Sequence, residues 1–158
     1  NSKLLTSNAA TYLNSTKHTF IGVCDFKQDN DLEVFIGTNS DADNGGLHVG
    51  KRFGDTLSLA HYGDDGNVSF SVSGNQELHL YYGDYPGSEF RVDGNTVGTS
   101  NAPETPLNTT AALTLFEGSD RSYIRHKGLI QEVLAFTEDK RTEQGSLEAD
   151  VNNRFNIF

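Results

Sequence analysis

Short segments rich in β-branched and aromatic residues recur along the chain between clusters of Gly, Asn and Asp, the pattern of an antiparallel all-β protein. Strands are predicted near residues 18–26 (HTFIGVCDF), 32–37 (LEVFIG), 46–50 (GLHVG), 56–62 (TLSLAHY), 68–72 (VSFSV) and 77–82 (ELHLYY). Three more follow near 89–92 (EFRV), 111–117 (AALTLFE) and 128–136 (GLIQEVLAF). No helical periodicity interrupts them, so each sheet has to cover its apolar face with another sheet. The prediction is a two-sheet antiparallel β-sandwich, a jelly roll. Asp93-Gly94 is the strongest hairpin signal, because a tight primed turn needs the positive φ that Gly and Asp tolerate. Asp65-Gly66 and Gly74-Asn75 read as further reversals.

After Thr137 the pattern changes. Leu147, Val151 and Phe155 fall at i, i+4 and i+8, which places them on one helical face while Glu148, Asp150, Asn152 and Arg154 face water. A short C-terminal helix is predicted over 140–153, lying on the outside of the sandwich, with Phe155 and Phe158 pinning its end. Gly145 weakens it by about 1 kcal/mol relative to Ala.

Composition narrows the partners. A chain of 158 residues can bury roughly 70% of the surface its unfolded form exposes, enough for a core without metal or disulfide. Its formal charge of -10 repels phosphate backbones and anionic lipid, which argues against nucleic acid as a partner. Cys24 has no second cysteine to pair with and sits in an apolar run, as an inert buried thiol would. No apolar stretch approaches the roughly 18 residues of a membrane-spanning helix, and no signal-peptide pattern opens the chain. The sequence starts at Asn1 and contains no Met, so a fragment, a processed product or an incompletely read sequence is expected.

Five constellations bear on chemistry. Retaining glucanases of the sandwich type need acids at Glu-x-Asp-x-x-Glu on one strand, so that alternation aims them into one cleft. Asp31 and Glu33 are two apart, but no acid follows at the required position, and no enzyme is expected. NSDADNGG (39–46) resembles the start of a calcium loop through Asp41, Asp43 and Asn44, yet Arg52 stands where the closing acid belongs. A polar turn is the favoured reading; no cofactor is expected, with calcium through another arrangement left open. His18, His48, His61, His79 and His126 each lie in or beside a different strand, without ligand spacing, and read as structural or surface histidines. No Gly-x-Ser-x-Gly elbow supports a nucleophilic mechanism. YYGDYPGSEF (81–90) is the most suggestive loop: Tyr82 and Tyr85 offer rings for sugar CH faces, and Asp84 offers a carboxylate for hydroxyls. Against this, alternate tyrosines of that strand can pack in the core, and the chain has no Trp.

The last strand, Gly-x-Ile-x-Glu-Val-Leu-x-Phe at 128–136, with its polar loop, helix and aromatic-rich tail, resembles the concanavalin A-like lectin/glucanase superfamily of the laminin-G type. FRVDGNTVG (90–98) looks like that family's turn after a central strand, and the resemblance runs from Thr19 to the end. The tail is similar to the ends of laminin-G-like domains in structural proteins of tailed bacteriophages, the matching positions being Ile130, Glu132, Arg141, Glu148, Asn152 and Phe158. Two departures leave the start of the domain open: the strand that opens such a domain is weak or absent before Lys3, and the aromatic-rich DG-x-x-D motif is missing. The resemblance implies one sandwich domain over 1–158, incomplete at its N-terminal end. It implies a non-enzymatic domain on a virion surface (tail fibre, baseplate or capsid), with host-surface glycans, other virion proteins or further copies as partners. The alternative is a carbohydrate-binding or adhesin domain of a secreted bacterial protein, and a degenerate glucanase ranks third.

Overall fold

The computed structural model describes residues 4–6, 13–14, 17–40, 42–83, 87–115 and 126–158, with the side chains of 4–6 excepted. In chain order the strands are β1 (Leu4–Thr6), β2 (His18–Cys24), β3 (Glu33–Thr38), β4 (Leu47–Arg52), β5 (Thr56–His61) and β6 (Asp65–Ser69). They continue with β7 (Glu77–Gly83), β8 (Ser88–Val92), β9 (Asn95–Ser100), β10 (Leu113–Leu115) and β11 (Ile130–Phe136). A 3-10 turn (Arg141–Glu143) then leads into helix α1 (Gln144–Phe155). The strands form a six-stranded sheet, β1-β10-β3-β4-β5-β6, and a five-stranded sheet, β11-β2-β7-β8-β9. All pairings are antiparallel, as the sequence pattern requires.

Between the sheets lies one core, in which Phe20, Phe35, Ile36, Leu47, Val49, Leu57, Leu59, Tyr81 and Phe90 are all buried. A second apolar cluster lies outside it. Ile21 and Val23 of β2 and Leu78, Leu80 and Tyr82 of β7 point away from the core and pack under α1, against Val151, Leu147 and Phe155. β2 and β7 are thus buried on both faces, which is why HTFIGVC and ELHLYYG read as continuous runs rather than alternating ones.

The tail pattern turns out to be the helix's fastening. Arg154 pairs with Glu132 at 2.7 Å, and Glu148 receives the Arg91 Nε hydrogen bond at 2.7 Å. The Arg141 guanidinium donates to the Gly87 carbonyl and stands 5.7 Å from the Tyr82 ring centroid. Asn156 adopts the left-handed conformation (φ 50°) that ends the helix, and Asn152 Oδ1 accepts from the amides of Ile157 (2.7 Å) and Phe158 (3.0 Å). Ile130 packs on the inter-sheet core, and the Phe158 ring lies over Gly94.

Three expectations shift. Asp93 (φ 47°) and Gly94 (φ 76°) make the predicted primed turn, but the strand leaving it, β9, is a full partner of β8 that its polar sequence concealed. Asp65-Gly66 is not a reversal. The chain turns earlier, at Tyr62 and Gly63 (φ 88°), where Asp64 accepts the amides of Glu104 and Thr105, both at 2.7 Å. Gly66 is instead required inside β6, since a Cβ there would lie 2.3 Å from the Ala102 carbonyl oxygen. The helix itself begins later than expected, because residues 141–143 form the tighter 3-10 turn, and it runs on to Phe155, where Asn156 ends it.

Candidate functional site

Helix α1 covers the outer face of the five-stranded sheet; the outer face of the six-stranded sheet carries a cavity of about 330 Å³. Register decides what lines it. Leu47, Val49, Leu57 and Leu59 face the core, so their alternates His48, Gly50, Ser58 and Ala60 face outward, along with Val34 of β3 and Asp65 of β6. Gly50, Ser58 and Ala60 are small, and they make the floor concave between His48 and Val34. Gly50 is obligatory there: a bulge in β3 brings the Glu33 carbonyl oxygen within 2.3 Å of any Cβ at that position.

Two aromatic rings stand at opposite ends. Phe53, in the turn after β4, is 52% exposed and stands outside the apolar clusters of the core. Tyr62, half-buried in the turn after β5, meets the His48 ring edge-on, with centroids 6.0 Å apart. Leu32 and Val34 add an apolar wall separate from the main core. Across the groove Arg52 of β4 pairs with Asp65 of β6, reaching diagonally over β5, so a fixed donor and acceptor lie beside the apolar floor. Such a surface suits a ligand with both apolar faces and hydroxyl groups.

A second polar centre lies where β3 and β4 meet the loops that follow β2 and precede β11. The Lys51 ammonium, 1% exposed, is enclosed by oxygens: Asp29 Oδ1 at 2.9 Å, the Asp29 carbonyl at 3.0 Å, Glu33 Oε1 at 3.3 Å and the Lys27 carbonyl. Glu33, wholly buried, also accepts the amides of Lys27 and Lys127, both at 2.9 Å. Burial pushes Asp25 and Asp29 upward, but hydrogen bonds and charges from Lys27 and Leu129 for the first, and from Lys51 and Lys127 for the second, hold both below the ordinary carboxylate range. His126 lies 3.5 Å from Glu33, and burial lowers its basicity more than the neighbouring carboxylates raise it. With Glu33 sealed and its oxygens occupied, this centre fastens strands and loops together.

The residues singled out from sequence fare differently. Tyr82 is fully buried beneath α1, and burial raises its phenol further, with Glu148 adding to the shift. It is therefore no sugar platform, because the strand carrying it is buried on both faces. Asp84 and Tyr85 lie outside the described residues. So does Asp41 of the calcium-like loop, while Asp43 is exposed and Asn44 (φ 54°) makes the turn between β3 and β4, its amide bonded to the Tyr62 carbonyl at 2.9 Å. Among the described residues no three or more His, Cys, Asp or Glu side chains are grouped to hold a metal. His61 hydrogen-bonds the Thr105 carbonyl at 2.7 Å and stacks edge-on to His18; His79 sits between Glu77 and Tyr81. Cys24 is buried, with its thiol pushed well up by desolvation. The groove residues Phe53, Arg52, Tyr62 and Asp65 were not anticipated.

No family model and no curated protein matches this sequence. The fold, however, recurs among solved structures. The sialidase CBM40 domain of Ruminococcus gnavus, solved bound to alpha2,3 sialyllactose, superposes with a TM-score of 0.66 at 9% identity, covering 91% of this chain and 94% of that one. Domain 4 of AbnA, an extracellular arabinanase from Geobacillus stearothermophilus solved in complex with arabinotriose, gives 0.64 at 13% identity, covering 86% and 68%. A SAP-like pentraxin from Limulus polyphemus gives 0.60 at 12% identity, covering 84% and 69%. At these identities the likeness establishes the β-sandwich fold.

Proposed function

We propose that this domain binds glycans in the groove on the outer face of its six-stranded sheet and performs no chemistry on them. The observation that carries this is Phe53, a half-exposed ring at the mouth of a concave, small-residue floor, with the Arg52–Asp65 pair alongside. A sugar's CH face stacks on the ring, while the guanidinium donates to and the carboxylate accepts from its hydroxyls. The shared fold of a domain bound to sialyllactose and another bound to arabinotriose supports the reading. One shallow site holds its ligand weakly, and repeated copies would raise apparent affinity by about 10²–10⁴.

The test is a glycan array probed with a multimerised form, beside a Phe53→Ala variant. Because Phe53 is half-exposed and lies outside the apolar clusters of the core, the variant should keep its stability within about 0.5 kcal/mol, and its affinity should fall about tenfold. Equal binding by both forms would remove the groove from the reading, and binding by neither would end it.

The setting proposed for the domain is the surface of a tailed-bacteriophage virion, with other virion proteins or further copies as neighbours. This rests on the tail pattern from Ile130 to Phe158 alone. The alternative setting is a secreted, extracellular bacterial protein. Mass spectrometry of purified virus particles separates the two.

A further inference from the structure

Resting on the glycan reading, we infer that the groove takes an internal stretch of a neutral glycan chain and rejects a terminal acidic sugar. The 330 Å³ cavity does not end blindly. At the Phe53 end it shares Arg52 and Phe53 with a cavity of about 380 Å³ that runs over Thr56, Asn67 and Ser69 on the outer face of β5 and β6. At the other end it shares Tyr62 and Gly63 with a cavity of about 320 Å³ bounded by Asp43, Asn44, Asp64, Glu104 and Thr105. Linked through these shared residues, the three run from the Thr56 end of β5 to the turn beyond its other end, and the six residues of β5 alone span roughly 20 Å. That is a path for a chain entering at one end and leaving at the other. A lone terminal sugar would fill only one of its compartments.

Charge selects among chains. Among the described residues lining the three cavities, Arg52 is the only Lys or Arg, and Asp65 already balances it. The Tyr62 end presents Asp43 and Glu104, both exposed, together with Asp64. Asp64 is engaged by two backbone amides, whereas Asp43 and Glu104 stand at the rim, where carboxylates accept hydroxyl protons in charge-assisted hydrogen bonds. A sugar carboxylate placed there would meet like charges with no unbalanced Lys or Arg among the described lining residues to hold it. The chain's net charge of -10 acts in the same direction at longer range.

The experiment is calorimetric titration of the intact chain with neutral arabino-, manno- and gluco-oligosaccharide ladders, from disaccharide to hexasaccharide, against sialyllactose and oligogalacturonate. Affinity for at least one neutral ladder should rise about tenfold between disaccharide and tetrasaccharide, while the acidic probes give no measurable heat. An Asp43→Asn/Glu104→Gln variant should weaken the neutral chain several-fold and admit the acidic probes. Sialyllactose or oligogalacturonate binding the parent as tightly as the best neutral chain would overturn the inference, and so would a disaccharide binding as tightly as a hexasaccharide. Either outcome would leave the glycan reading standing. Failure of every neutral and acidic glycan to bind would remove that reading, and this inference with it.

Discussion

Lys51→Met tests how the sandwich is fastened at the end where Glu33 is buried. The substitution keeps the length and apolar stem of the side chain but deletes an ammonium surrounded by four oxygens. Two consequences follow. Glu33, 0% exposed, keeps the amides of Lys27 and Lys127 but loses the sealed ammonium 3.3 Å from its Oε1. The carbonyls of Lys27 and Asp29 also lose their donor. Removing one partner of a buried ion pair costs about 3–5 kcal/mol, and an orphaned buried acceptor about 1–3. Since Asp29 retains water and Lys127, the lower part of the combined range applies, about 4 kcal/mol. At this chain length that corresponds to a melting temperature lower by about 8–16 °C. Urea unfolding at constant m-value measures the loss directly. The Lys51→Met/Glu33→Gln double variant should recover part of it, because an uncharged amide tolerates the site better than an unpaired carboxylate. A single-variant loss below about 1 kcal/mol would show the ammonium to be solvated and the pair a surface feature. Additive losses in the double variant would show that Lys51 and Glu33 do not interact.

Further outcomes follow from the same structure. Tyr82→Ala should cost about 3–5 kcal/mol, since the ring is sealed under α1; parent-like melting would reinstate it as a surface residue. Val151→Ala should cost about 2 kcal/mol and loosen the helix, seen as faster amide exchange in Ile21 and Leu80, which it covers; unchanged exchange would contradict the docking. Stability should fall as the solution is acidified through the imidazole range. Burial holds His61 and His126 below an ordinary histidine, so the unfolded chain takes up protons first, and their contribution is fully present only above about pH 6.5. A second decline should begin below about pH 4, where Asp25, Asp29 and Glu77, all depressed in the folded state, become protonated. A melting temperature flat between these limits and neutrality would refute the assignment. No new reducing ends should appear with laminarin or arabinan, and turnover that survives further purification would contradict a pure binding role.

Much of the fold was legible because turn chemistry and periodicity are local. Asp93-Gly94 fixes its hairpin through its own φ angles, and Leu147, Val151 and Phe155 announce a helix that needs something apolar to lie on. Less legible was what depends on another segment. β1 is three residues long and is recognisable as a strand chiefly through its pairing with β10, which itself lies within the strand predicted near 111–117. β9, with Asn95, Thr96, Thr99 and Ser100, holds only Val97 against the core and owes its place to the ladder with β8. Asp65-Gly66 has the composition of a turn, but the amides of Glu104 and Thr105, some forty residues away in sequence, hold Asp64 and set the reversal before it.

The burial of Tyr82 was hidden for a related reason. Tyrosines beside a carboxylate in 81–85 look like a sugar loop when the strand before them is assumed to show one face to water. Helix α1 removes that face, and Leu78, Leu80 and Tyr82 become a second core. The covering that hides Tyr82 also distinguishes the two sheets: with α1 spent on the five-stranded sheet, any groove on a sheet face belongs to the six-stranded one. A sequence signal for this existed. In GLHVGKRFGDTLSLAHYG the alternates of the core-facing Leu47, Val49, Leu57 and Leu59 are His, Gly, Ser and Ala, with no large aliphatic side chain among them to support another layer. The two aromatics, Phe53 and Tyr62, sit in the turns at either end of β5, where the core cannot fully use them. A strand pair that keeps its outward positions small and places rings at its corners leaves room over the sheet, and at Phe53 that room opens to solvent beside a fixed donor and acceptor.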